Sequence, residues 1–518
     1  MPDNVEDLGW LTYRVGMQFG GFNGSPNVDI IPPESMIHPT RNIDMSHGGR
    51  EKRGGCAILG STITGTPQIL RHFQFRRLTA TAQVLSHGND GVIYKDYTTS
   101  IKTGRSTTQA GDFLYYRDNC YFVDGSTAPQ TYDGTTMSNL GNLSADWSGV
   151  NFPGKLLKRG RGASERILAW RTPSNLDGLY YSNDETDNFS AGGKLRIDTG
   201  DGFGIIGVEE FGRQAVILGQ KKAFIFLDED TSPANWGYEP AQFEAGLANP
   251  HLLVRTPNDL VAMAADGEIY SVAAAQEYGD YRMASLTRPS FIHSWIQDNI
   301  SLGRINQFHA IYDPSLRAIL FFMVLSGEVI VRLALVYFVE RDPREAWMPW
   351  SNLNFTTGFN ASCSAIFLDT VGNPTVHTGD YQGRTWKLNQ TTKSDNSNGY
   401  EMIVRTALLT LDNPRETKLF RAVRLTLNPL GAYDITMEWF VDGVSQGSKT
   451  LTVSTSSGAY GTATYGTSVY GGQEVSEMMT ELGQVGKRIQ FDFRNSVAGE
   501  DFFFSELLVD FEPLGARY

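Results

Sequence analysis

The sequence predicts an all-β chain: a six- or seven-bladed β-propeller, preceded by an extended N-terminal arm and followed by a β-sandwich. Three observations carry this. Glycine accounts for 54 of the 518 residues and aromatic residues for 12%, a combination suited to short strands joined by tight turns. Runs such as Arg166–Trp170, Gln214–Leu218, Ala223–Leu227 and Glu268–Val272 are short, β-branched or aromatic, and bounded by Gly, Asp or Asn. Turn signals at Asp90-Gly91, Asp133-Gly134, Asp177-Gly178, Lys221-Lys222 and Asp266-Gly267 recur every 43 to 45 residues, the length of a four-stranded propeller blade. Looser marks follow at Asp313-Pro314 and Gly379-Asp380.

Taken in chain order, residues 1–60 are rich in Gly, Pro and Asn with few strand runs, and read as the arm. Residues 61–390 hold the periodic strands. The region Ala318 to Val339 is the most apolar, but Glu328, Arg332 and Ser326-Gly327 interrupt it, so it reads as a buried hairpin and not a membrane span. A short helix is expected around Pro289 to Asp298. The polar stretch Thr391 to Gly399 reads as a linker. Residues 400–518 then carry strands at Glu401 to Leu411, Phe420 to Leu427, Tyr433 to Val441, Lys487 to Phe493 and Asp501 to Phe511, which suggests a sandwich. Within it Tyr460, Tyr465 and Tyr470 recur every five residues, in a loop that either orders against a partner or is simply long.

Composition narrows the function. With 44 basic and 57 acidic residues the net charge is −13, so no global basic footprint for nucleic acid exists. The three cysteines, Cys56, Cys120 and Cys363, stand apart and suggest neither a disulfide framework nor a zinc ribbon. The acidic, polar N-terminus is unlike a secretory signal, and a soluble protein made in the cytoplasm is expected.

The motif search yields no catalytic, cofactor or metal residues. Gly202-Phe-Gly204-Ile-Ile-Gly207 fits GxGxxG, but another strand follows where a dinucleotide site needs a helix. Thr378 to Trp386 nearly matches an Asp-box, with Asp380 expected to cap a blade turn. The acidic clusters Glu209-Glu210 and Asp228-Glu229-Asp230 lack calcium-loop spacing. The eight histidines never pair at i, i+2 or i, i+4, and no HExxH, GxSxG or P-loop occurs. Two basic clusters stand out: Arg41, Arg50, Lys52, Arg53, Arg71, Arg76 and Arg77, and then Lys155, Lys158, Arg159, Arg161 and Arg166. Solvated strand edges, an acidic neighbouring subunit and nucleic acid are the readings open for them.

Several segments carry a resemblance. Phe19-Gly-Gly-Phe-Asn23, Ile31-Pro-Pro-Glu-Ser35, Arg41-Asn-Ile-Asp44 and Gly48 to Gly55 resemble the opening of β-propeller tail nozzle proteins of short-tailed bacteriophages. The likeness continues through Asn119 to Gly125, Pro129 to Gly134, Leu179 to Ser182, Asp187 to Ser190, Asp201 to Gly207 and Leu260 to Tyr270. It ends with Arg421 to Leu427, the Tyr-Gly loop and Gly515-Ala-Arg517. Gly55 departs from it, standing where proline is usual. The resemblance implies a structural virion protein with no active site, located in the tail. It implies a hexameric tube below the portal and adaptor rings that contacts adaptor and fibre proteins and passes DNA during ejection. The alternative is a carbohydrate-binding or glycan-hydrolysing propeller of the tail.

Overall fold

The computed structural model describes residues 10–16, 20–47, 49–160, 164–353, 356–411, 413–429, 433–453 and 476–514. The Tyr-Gly loop, Phe19, Gly48, Arg161 and Gly515 to Arg517 lie outside them.

The chain is all-β, and its propeller has seven blades. Residues 69–102, 112–139, 155–196, 207–240 and 309–350 each form a four-stranded antiparallel sheet in simple chain order. Each blade's first strand packs against the next: Ile69–Phe75, Asp112–Tyr116, Lys155–Arg159, Gly207–Phe211, Leu253–Arg255, His309–Asp313 and Ala361–Leu368. The last returns to the first and closes the ring. The fifth blade has three strands, Leu253–Arg255, Leu260–Met263 and Ile269–Ser271. Helix α1 (Val272–Tyr278) follows, starting where the Ser271 hydroxyl accepts the Ala274 N–H and ending at left-handed Gly279. Helix α2 (Ile292–Asn299) occupies the expected short-helix region.

The seventh blade is completed from the other end of the chain. Its strands Ala361–Leu368, Pro374–Asp380 and Thr385–Gln390 are joined on the outside by Gly55–Leu59. Pairing first and last segments in one sheet removes an exposed edge and locks the ring. Residues 55–59 therefore belong to the propeller, and the boundary expected at residue 60 falls after a blade strand.

The C-terminal region is a sandwich of two sheets. One runs Met402–Arg405, Ile489–Asn495, Tyr433–Val441, Val444–Val453. The other runs Ile43–Asp44, Arg50–Lys52, Phe502–Pro513, Lys418–Pro429, Ser476–Gly486, with Leu11–Val15 also paired to Phe502–Pro513. The described strands of the arm complete a sheet of their own chain. A single apolar cluster runs from Val216 and Leu260 through Trp347 and Trp350 to Phe420, Phe491 and Phe504, so the propeller and sandwich share one core. No described helix is long and apolar enough to cross a membrane.

Candidate functional site

Two groups of polar residues are buried more deeply than the sequence suggested. The first lies where the arm runs between propeller and sandwich. Arg50, Lys52 and Arg53, read from sequence as strand-edge or partner-binding cations, are almost wholly inaccessible. Arg53 donates from Nη1 and Nη2 to Asp395 at 2.9 and 2.7 Å. Its guanidinium lies 3.7 Å from the Tyr400 ring centroid and 4.2 Å from that of Phe359. Burial opposes the charge, but Asp395 holds the Arg53 pKa above its ordinary value. Lys52 Nζ donates to Asn495 Oδ1 (2.9 Å) and the Val497 carbonyl (2.7 Å), while burial draws its pKa down to about 8. Arg50 donates to the Glu34 and Gly20 carbonyls. Asn42, left-handed at φ 64°, sits at the centre. Its Oδ1 accepts from Arg53 Nε and Ser351 N, and its Nδ2 donates to the carbonyls of Ser351 and Glu401. Thr391 to Gly399 is thus not a free linker, because Asp395 within it is fully enclosed.

Gly55 explains its own departure from the resemblance. Its N–H donates to the Thr392 carbonyl at 2.8 Å, which proline cannot do. An added Cβ would stand 2.0 Å from the Ser394 carbonyl oxygen.

The second group lies on the propeller axis. The blades repeat one up-and-down order, so their inner strands run in the same direction and their first residues gather at one mouth. Asp112 opens the inner strand of blade 2, Lys155 that of blade 3 and His309 that of blade 6. Arg71 comes from blade 1 and His251 from the turn before blade 5. Arg71 Nη2 lies 3.3 Å from Asp112 Oδ1, and Lys155 Nζ lies 3.6 Å from the same oxygen. Across the axis, Arg71 Nη1 is 3.3 Å from His251 Nδ1, and Lys155 Nζ is 3.4 Å from its Nε2. Asn249 fixes this arrangement, accepting from the His251 N–H and donating to the carbonyls of Ile305 and Phe308 beside His309.

Burial followed by the neighbouring cations sets the charge states. Lys155 falls to about 7 although Asp112 opposes the shift. His251 is held well below its ordinary value by burial, Lys155 and Arg71. His309, stacked on Phe322 at 4.7 Å, falls to about 3. Arg71 keeps 29% of its side-chain surface accessible, whereas the Asp112 side chain keeps 10%. Glu209, one member of the Glu209-Glu210 cluster, lies within electrostatic reach of Asp112, and burial raises its pKa. The signal that could have marked this group was positional: titratable residues at the start of successive inner strands.

The remaining motifs are structural. Asp380 accepts from the backbone N–H groups of Gln382 and Arg384 and from the Trp386 indole, a turn cap as expected of the Asp-box. Gly202 and Gly204 lie in the connection between blades 3 and 4, and Gly207 begins a strand. Asp228 and Glu210 pair with Arg159, and Arg166 pairs with Asp184. All three cysteines are buried and free, and burial raises each thiol's pKa.

No family model and no curated protein matches the chain. Among solved structures, it is similar to BBS1N in its complex with ARL6DN: 9% identity, 66% of this chain and 97% of that one, TM-score 0.40. The WD40 domain of Neurospora crassa Pan2 matches at 10% identity over 67% of this chain and 97% of its own, TM-score 0.35. An exo-β-1,3-galactanase from Phanerochaete chrysosporium matches at 10% identity over 89% and 100%, TM-score 0.27. Likeness this distant carries no function across.

Proposed function

We propose that the chain is a structural subunit of a short-tailed phage tail, forming with five copies the nozzle through which DNA leaves the particle. The observation that carries this reading is where the nozzle-like segments lie. Asn23, Ser35, Asn42, Arg50 and Arg53 are all buried, and Phe22, Ser35, Ile37 and Asn42 fasten the arm to the blade ending at Trp350 and to the sandwich at Glu401, Arg405 and Ala407. A conduit that holds its shape while a genome passes needs such a joint. With a charge cluster filling the axis, DNA would run between subunits and not through a propeller. The net charge of −13 would disfavour retention of the passing phosphates.

Glycan hydrolysis asks for two carboxylates free to exchange protons with a substrate. On the described axis Asp112 is instead held by Arg71, Lys155 and the Leu156 N–H. Quantitative mass spectrometry of purified particles tests the proposal. A copy number half that of the dodecameric portal is expected. Absence from the particle would overturn it.

A further inference from the structure

The axial mouth holds more cationic donors than its acids can use. Arg71 and Lys155 meet there, Arg171 follows Trp170, the strand partner of Lys155, and Asp112 is the one carboxylate that pairs with Arg71 and Lys155 among the described residues. Arg171 follows blade 3's second strand in a left-handed conformation, φ 61°. It acts electrostatically on both Lys155 and His251 and makes no ion pair or side-chain hydrogen bond among the described residues. Arg71 and Lys155 both approach Nδ1 of His251, at 3.3 and 3.5 Å, and Lys155 also approaches Nε2. A neutral imidazole has one accepting nitrogen, so at least one of these donors is left over. His309 is a second, independent sign. It is 5% exposed and within electrostatic reach of His251 and Arg71; the Gln307 backbone acts on its ring, but among the described residues neither ring nitrogen closes a hydrogen bond of normal length and angle.

We propose that this mouth is a binding site for one compact free oxyanion of the phosphate or sulfate class, held by Arg71, Lys155 and Arg171 with His251 and His309 donating from the opposite blades. Such a ligand supplies acceptors alone, in several directions, which is the complement of this donor set. It would also bridge blades 1, 3, 5 and 6 across the axis. The inference is independent of the proposed tail role.

Equilibrium dialysis of the full chain against radiolabelled inorganic phosphate tests it. Saturable binding of one phosphate per chain is expected, displaced by sulfate but not by chloride at equal ionic strength. Arg171→Gln breaks no ion pair or side-chain hydrogen bond among the described residues and should weaken binding at least tenfold with unchanged thermal stability in chloride. Sulfate, whose charge is constant between pH 5 and 9, should bind more weakly as pH rises past 7 and Lys155 loses its proton. Absence of saturable binding would overturn the proposal. So would retention of full affinity in Arg171→Gln, or displacement by duplex DNA, which would assign the phosphate to a surface site for nucleic acid.

Discussion

At the residue scale, Asn42 shows how much one side chain can join. It uses two donors and one twice-accepting oxygen to connect Arg53, the blade residue Ser351 and the sandwich residue Glu401. It does so from a left-handed backbone that asparagine tolerates better than most residues. Asn42→Ala leaves those groups unpaired inside protein, at about 1–3 kcal/mol for each one unsatisfied. Urea unfolding should show a loss of at least about 2 kcal/mol, and Asn42→Asp should not restore it, because Asp cannot donate to the two carbonyls. Surface changes such as Val371→Thr should leave stability within about 0.5 kcal/mol.

At the element scale, the strand Gly55–Leu59 makes the ring depend on the arm. A chain beginning at residue 61 lacks the outer strand of blade 7, the Arg53 partner of Asp395 and three strands of the sandwich. It should fail to give a cooperative thermal transition by calorimetry, whereas the full chain gives one. A normal transition in the shortened chain would show that the closure is dispensable. Strand content was readable because local alternation is local: Arg166–Trp170, Gln214–Leu218, Ala223–Leu227 and Tyr433–Val441 lie where their side chains place them. The regular turn spacing was partly fortuitous. Asp90, Asp177, Lys221 and Asp266 precede third strands, but Asp133 precedes a fourth, and the matching turn of blade 2 is Asp124-Gly125. Strands Val444–Val453 and Ser476–Gly486 were missed, the first because it is polar and mostly exposed. The buried roles of Lys52 and Arg53 were not legible, since their burial depends on partners 443 and 342 residues away, and Arg50 reaches carbonyls of the arm that no periodicity marks. The axial group was hidden for the same reason.

At the scale of the whole molecule, histidines buried in several blades tie stability to pH. Burial lowers His72, His309 and His377 to about 3 and His87 to about 4. The unfolded chain therefore binds more protons than the folded one between those values and about 6.5, and stability rises with pH across that window. Acidification from pH 6.5 toward 4 should remove up to about 1.4 kcal/mol per pH unit for each histidine, read as a falling urea midpoint. A flat midpoint over that range would contradict the burial. The sandwich sheet completed from both ends of the chain also has a consequence for synthesis. Arg50–Lys52 waits for Phe502–Pro513, some 450 residues later, which at about 5–20 residues per second is on the order of half a minute to a minute and a half. The ring stays open until Thr385–Gln390 emerges to meet Gly55–Leu59, and the strands of the arm stay unpaired to the end. The ribosome thus releases a protein whose first-made strands are among the last to be satisfied, and its yield in the cell should be governed by how well those early strands are shielded until the final ones emerge.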